Sequence, residues 1–190
     1  MDDIFSVSPR FPTYREVVNH HDLVRGAVEV AFCTRDTFEG ANDLELSNTR
    51  RDTINRLGRQ GVISLMACLE ASFRVDYLYR AKRKLKDPLS RRLIRVFHRK
   101  RRKAALMDDL VKTWLKEGHL SHVEYNRIGT AYEFRHWLAH GEYWLPKRRP
   151  NATTFYEIAA IVEGAINCCA FKFDTTTDRR RDRPHEASRP

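Results

Sequence analysis

Val62-Ile63-Ser64-Leu65-Met66-Ala67-Cys68-Leu69 is apolar at nearly every position. A run of that kind belongs to a helix that is covered on all sides, in the middle of a bundle. The helical pattern around it extends from about residue 49 to 85, and Gly58 and Gly61 mark a place for a kink or a break. Upstream, residues 15–38 carry Val17, Val18, Leu23, Val24, Val28 and Phe32 at helical spacing after a Pro12-Thr13 cap signal, and residues 39–48 follow as a polar loop. Downstream, residues 103–117 read as a helix on Leu106, Leu110, Val111, Trp114 and Leu115, stopped by Gly118. Ser121 with Glu124 forms a capping-box pattern that opens the next helix. A loop through Pro146 and Pro150 leads to a last helix at residues 153–173, built on Phe155, Ile158, Ile161, Val162 and Ile166. The expectation is an all-α bundle of about five to six helices with a basic amphipathic insertion. It comprises an N-terminal arm at residues 1–14, one helical domain at 15–173, and a polar tail at 174–190 expected to be disordered.

Charge narrows the partners. The chain of 190 residues has 35 Lys and Arg against 25 Asp and Glu, a net charge of +10, which favours a phosphate-rich partner. Thirteen of these cations lie in residues 80–103, where Asp87 is the sole acid. After Pro88, Leu89, Leu93, Ile94, Val96 and Phe97 recur at helical spacing, so part of the block is a basic amphipathic helix. Arg91, Arg92, Arg95, Arg99, Lys100, Arg101 and Arg102 are the candidate binding residues of a surface that follows the phosphates of a nucleic acid. A solvated face and a membrane-surface helix are the rival readings.

Cys33, Cys68, Cys168 and Cys169 form no C-x-x-C pattern and no secreted-protein framework, which points to a reducing cytoplasm. Met1-Asp2-Asp3 begins without the cationic and apolar regions of a signal peptide, so none is expected. The apolar stretch from Ile158 to Phe171, interrupted by Glu163, is too short to span a bilayer, and no membrane association is expected.

The densest chemistry is Glu133-Phe134-Arg135-His136-Trp137-Leu138-Ala139-His140-Gly141-Glu142-Tyr143-Trp144. On the residues alone, two structural readings stand beside a catalytic one. The aromatic helix end can be core, with Arg135 paired to Glu133 or another acid. His136 and His140, at i and i+4, can be two ligands of a metal, although no third ligand stands at matching spacing. Glu70, directly after the apolar run, needs a partner to sit there ionised, and Arg74 is one turn on.

Arg135, a polar residue after it, and His140 spell R-[polar]-x-x-x-H, and this resembles the signature of the HEPN superfamily (higher eukaryotes and prokaryotes nucleotide-binding), small helical domains that include metal-independent endoribonucleases. The stretch Leu69 to Tyr77 resembles the HEPN core helix whose acidic residue orients the basic side chains of the motif helix. Members of the stand-alone, toxin-like or abortive-infection type are the most similar. The resemblance implies a candidate catalytic set of Arg135, His140, His136 and Glu70, with no cofactor and no metal. RNA is the implied substrate, a homodimer builds a composite cleft, and a cognate antitoxin protein is admitted as partner. In one branch of the family a tyrosine stands two residues after the motif histidine; here that position is Glu142, and Tyr143 comes one later. Elementary chemistry agrees with these roles. Histidine, with an ordinary pKa of about 6.5, moves a proton near neutrality, and arginine grips phosphate through two parallel N–H bonds. On a regular helix, however, Arg135 and His140 stand about 140° apart.

Overall fold

A single helix, α2 (Asp43–Arg83), runs for 41 residues, or about 60 Å, and the other elements are arranged on it. The computed structural model describes residues 11–34, 38, 40, 42–141 and 154–173. Around α2 stand α1 (Tyr14–Cys33), α3 (Pro88–Lys100), α5 (His122–Ala139) and α6 (Phe155–Cys168), all of which pack against it. Between α3 and α5 the chain makes a 3-10 turn (Arg101–Lys103), a π-helical turn (Leu106–Val111) and the short α4 (Lys112–Lys116). The described residues are helices and connections, with no strand, as an all-α bundle requires.

The apolar run sits on α2 as expected, with one amendment. Val62, Leu65, Met66, Cys68 and Leu69 are buried, while Ser64 and Ala67 face outward, so neighbours cover the helix on most sides rather than all. α2 passes through Gly58 and Gly61 without a break. Gly61 has a packing role, since a Cβ there would lie 2.6 Å from the Phe155 ring and 3.0 Å from His21 Nδ1. That close approach lets His21 of α1 stack on Phe155 of α6, ring centroids 3.6 Å apart, across α2.

Several boundaries differ from the sequence reading. α1 ends at Cys33 rather than 38, where the Thr34 hydroxyl donates to the Val30 carbonyl and Phe38 folds back to stack on Phe32. α2 begins six residues early, because Asn42 and Glu45 form a capping box inside the stretch expected to be loop. The helix expected at 103–117 is interrupted at Ala104 and Ala105. There the Asp109 carboxylate accepts the Ala105 N–H at 2.7 Å, starting a wider π turn instead of prolonging the preceding one. The Ser121–Glu124 box is present, and the last helix spans Phe155–Cys168. Residues 1–10 of the arm, the loop carrying Pro146 and Pro150, and the tail at 174–190 lie outside the described residues.

α2, α3 and the segment after α6 are joined by a buried polar cluster. Asp76 and Arg80 form an i,i+4 ion pair inside α2 with both side chains almost fully enclosed. Arg80 also donates to Asp87 Oδ1 (3.1 Å), Ser90 Oγ (3.0 Å) and the Ala170 carbonyl (3.0 Å). Burial pushes the Asp76 carboxyl up from its ordinary range, while Arg80 and the N–H groups of Lys172 and Phe173 oppose that push. Thus the first cation of the basic block is a structural residue, not a surface one.

Candidate functional site

The motif helix α5 is set in place by its first turn. Ser121 and Glu124 satisfy each other's backbone N–H groups, and the other oxygen of Glu124 accepts the Cys168 thiol of α6 at 2.7 Å. Ile128 and Ala131 are the fully buried residues of α5, with Tyr125, Tyr132, Phe134 and Leu138 half-buried against the core. This leaves Glu133, His136 and His140 on the exposed side and Arg135 half-buried.

At the C-terminal end, α5 stays helical to Ala139, and His140 is its cap. The His140 N–H donates to the His136 carbonyl at 3.1 Å, and Gly141 follows at φ +80°, a left-handed turn that suits glycine. The two imidazoles meet, with ring centroids 4.2 Å apart and planes tilted by 59°. Phe134 and Trp137 stack at 5.7 Å nearby. Arg135 is separated from His140 by four helical residues, so the structure brings the histidines together and leaves Arg135 on a different azimuth of α5. Glu142, Tyr143 and Trp144 lie outside the described residues.

Glu70 takes the partner one turn away. Arg74 Nε donates to Glu70 Oε1 at 2.7 Å, and Arg74 Nη1 donates to the Ala104 carbonyl at 3.1 Å, tying α2 to the segment before the π turn. Among the described residues no group of three His, Cys, Asp or Glu side chains is placed to hold a metal ion, so the His136–His140 pair gains no third ligand there.

The cations of the basic block take different surroundings once folded. The apolar stripe of α3, Leu89, Leu93, Val96 and Phe97, is buried in the core. That stripe of α3 therefore faces the other helices and is not free to lie in a bilayer. Arg92 is paired with Glu117, and Lys100 Nζ with both oxygens of Asp109 at 2.7 and 2.8 Å. The Arg101 guanidinium lies 5.0 Å from the Phe97 ring centroid, and its carbonyl accepts the Tyr77 hydroxyl at 2.9 Å; burial pushes that phenol up to about 12 and keeps it a donor. Arg91, Arg95, Arg99 and Arg102 are exposed.

Sequence reasoning missed two features. The Asp76–Arg80 pair carried the signal that marked Glu70, a carboxylate among apolar neighbours with an arginine one turn on. Lys116 belongs beside the cations of α3, and its place depends on how α4 packs, which no local pattern announces. No helix among the described residues is long and apolar enough to cross a membrane. No family model, no curated protein and no solved structure matches the chain.

Proposed function

We propose that the protein is a metal-independent endoribonuclease of the HEPN type. The observation that carries the reading is the touching, exposed His136–His140 pair at the capped end of α5, directly after Arg135, on an all-helical bundle. The ribose 2′-hydroxyl attacks the adjacent phosphorus, with His140 as general base or acid and Arg135 holding the phosphate oxygens. The bond to the 5′-oxygen breaks, leaving a 2′,3′-cyclic phosphate and a 5′-hydroxyl. His136, in ring contact with His140, orients it, and Glu70, ion-paired with Arg74 on α2, is assigned with it to orienting the basic side chains of the motif. Because Arg135 and His140 occupy different azimuths of one helix, a second protomer completes the cleft in a symmetric homodimer. A cytoplasmic toxin or anti-phage protein, with or without a cognate antitoxin, is the setting this chemistry suits.

The test is incubation of the pure protein with total RNA in EDTA, with products analysed for cyclic phosphate ends. Cleavage is expected for wild type and absent in His140→Ala and in Arg135→Lys, whose point charge cannot reproduce a two-pronged grip. Wild-type rates in either variant, with the fold intact by circular dichroism, overturn the assignment. Light scattering across a dilution series tests the shared cleft, which fails if monomer alone is present where RNA is still cut. A second reading, a non-catalytic module that binds nucleic acid, is favoured by the exposed cations of α3. It is the outcome if RNA binds and no cleavage occurs.

A further inference from the structure

Between α3 and α4 lies an open groove of about 630 Å³, lined by Arg92, Arg95, His98, Arg99 and Lys116, with Val96 and Thr113 largely buried at its base. A second hollow of about 530 Å³ shares Arg92 and Arg95 with it and reaches Arg91 and Glu117. Four cations from two separate elements thus converge on one concave surface. Arg95 and Lys116 have no carboxylate partner among the described residues, and Lys100 rather than Arg99 takes the nearby Asp109 directly. Arg91, Arg95 and Arg99 are like charges one turn apart, an arrangement that weakens an isolated helix. A concave surface lined by one sign of charge concentrates counter-ions. Steps of four residues on α3 place these side chains at intervals of about 6 Å, suited to successive phosphates of one strand.

We infer that the α3–α4 groove binds the phosphodiester backbone of single-stranded RNA through Arg95, Arg99 and Lys116, with Glu117 holding Arg92 in reserve until a phosphate displaces it. The choice of RNA rests on the function proposed above; the preference for phosphate comes from the groove itself. Arginine forks match phosphate oxygens, and the buried apolar stripe of α3 leaves nothing for lipid chains to meet. Arg92 lines both hollows and Glu117, its ion-pair partner, lines the second, so an entering strand exchanges one anionic partner of Arg92 for another.

The experiment uses fluorescence anisotropy with a labelled oligouridylate of about twelve nucleotides, titrated into His140→Ala protein in EDTA at several salt concentrations. Arg95→Gln, Arg99→Gln and Lys116→Gln together should flatten the plot of log affinity against log salt by about 2 units, since each contact with a single strand contributes about 0.7. Arg51→Gln, Arg56→Gln and Arg127→Gln together remove the same charge elsewhere and should leave the slope unchanged. Glu117→Gln should free Arg92 and steepen the slope by about 0.7. An unchanged slope in the groove triple, or equal flattening in the control triple, overturns the site; weaker binding in Glu117→Gln overturns the role given to that ion pair. Should the triple variant unfold, Lys116→Gln alone keeps the test open, with a flattening of about 0.7 expected and no change overturning the site. Vesicles of phosphatidylglycerol are titrated in parallel, and groove-dependent binding to them without binding to RNA also overturns it. The two proposals fail separately. Groove-dependent binding without wild-type cleavage removes the nuclease and keeps the groove, whereas cleavage with an unchanged slope does the reverse.

Discussion

Asp76 illustrates what a single side chain decides in this molecule. It is enclosed, ionically paired to Arg80, and accepts the N–H groups of Lys172 and Phe173, so one carboxylate holds α2, the guanidinium network and the segment after α6. Removing one member of a buried pair leaves the other charge without compensation, at a cost of about 3–5 kcal/mol. Asp76→Asn should therefore lower the free energy of urea unfolding by about that amount. A loss under about 1 kcal/mol would mean that Asp87, Ser90 and the Ala170 carbonyl satisfy Arg80 without it. Arg74 and Glu70 repeat the i,i+4 arrangement six residues earlier with partly exposed side chains, where a similar change matters less.

At the scale of elements, the two glycines of α2 make a matched contrast. A Cβ at Gly61 would press into the buried Phe155 ring, whereas nothing lies within 4 Å of one at Gly58. Gly61→Ala should destabilise the protein by about 1–3 kcal/mol, as overpacking does, outweighing its better helix propensity. Gly58→Ala should stabilise it by about 0.5–1 kcal/mol. Thermal unfolding of the two variants checks this, and a gain in melting temperature for Gly61→Ala would show that α6 can withdraw from α2 cheaply. The same element-level reasoning applies to the part of α2 before Gly61, which has no fully buried residue and is accompanied by α1 through contacts such as Arg50 Nε to Glu29 at 2.7 Å. Helical stability there depends on a two-helix hairpin rather than on the bundle.

For the whole molecule, acid should act in two stages. His21 is buried between Gly61, Phe155 and Tyr156, with no partner for Nδ1 among the described residues. Burial pushes its pKa below the ordinary 6.5, Asp22 opposes, and Arg25 and His20 add to the push. The unfolded chain therefore binds a proton first, so this stability is full above about pH 6.5 and declines as pH falls toward the lower folded value. Asp87 and Asp109 behave differently. Burial pushes each up, but the hydrogen bonds of Ser90 to Asp87, and of Lys100 and Ala105 to Asp109, outweigh it and hold both below the ordinary range. Their contribution persists above about pH 4 and is lost as pH falls through their folded values. Urea midpoints measured against pH should show both declines, with the upper one absent in His21→Leu. A flat profile down to the carboxylate range in the wild type would mean that His21 charges within the fold.

The all-helical class, the central place of residues 62–69, the capped start of α5 and the amphipathic character of α3 were legible in the chain because each depends on local periodicity or on groups three or four residues apart. The closeness of His136 and His140 at one helix end was legible for the same reason, since they stand one turn apart on α5. What only the tertiary structure decided depends on contacts between residues far apart. It buried Arg80 while leaving Arg95 exposed, matched Glu117 to Arg92 and Asp109 to Lys100, brought Lys116 to the groove, and drew His21, Gly61 and Phe155 together across three helices. Charge and pattern along a chain say which side chains prefer a partner. Which partner each one finds is set by how the helices pack, since the pairings that matter here join elements whose relative positions no local pattern encodes.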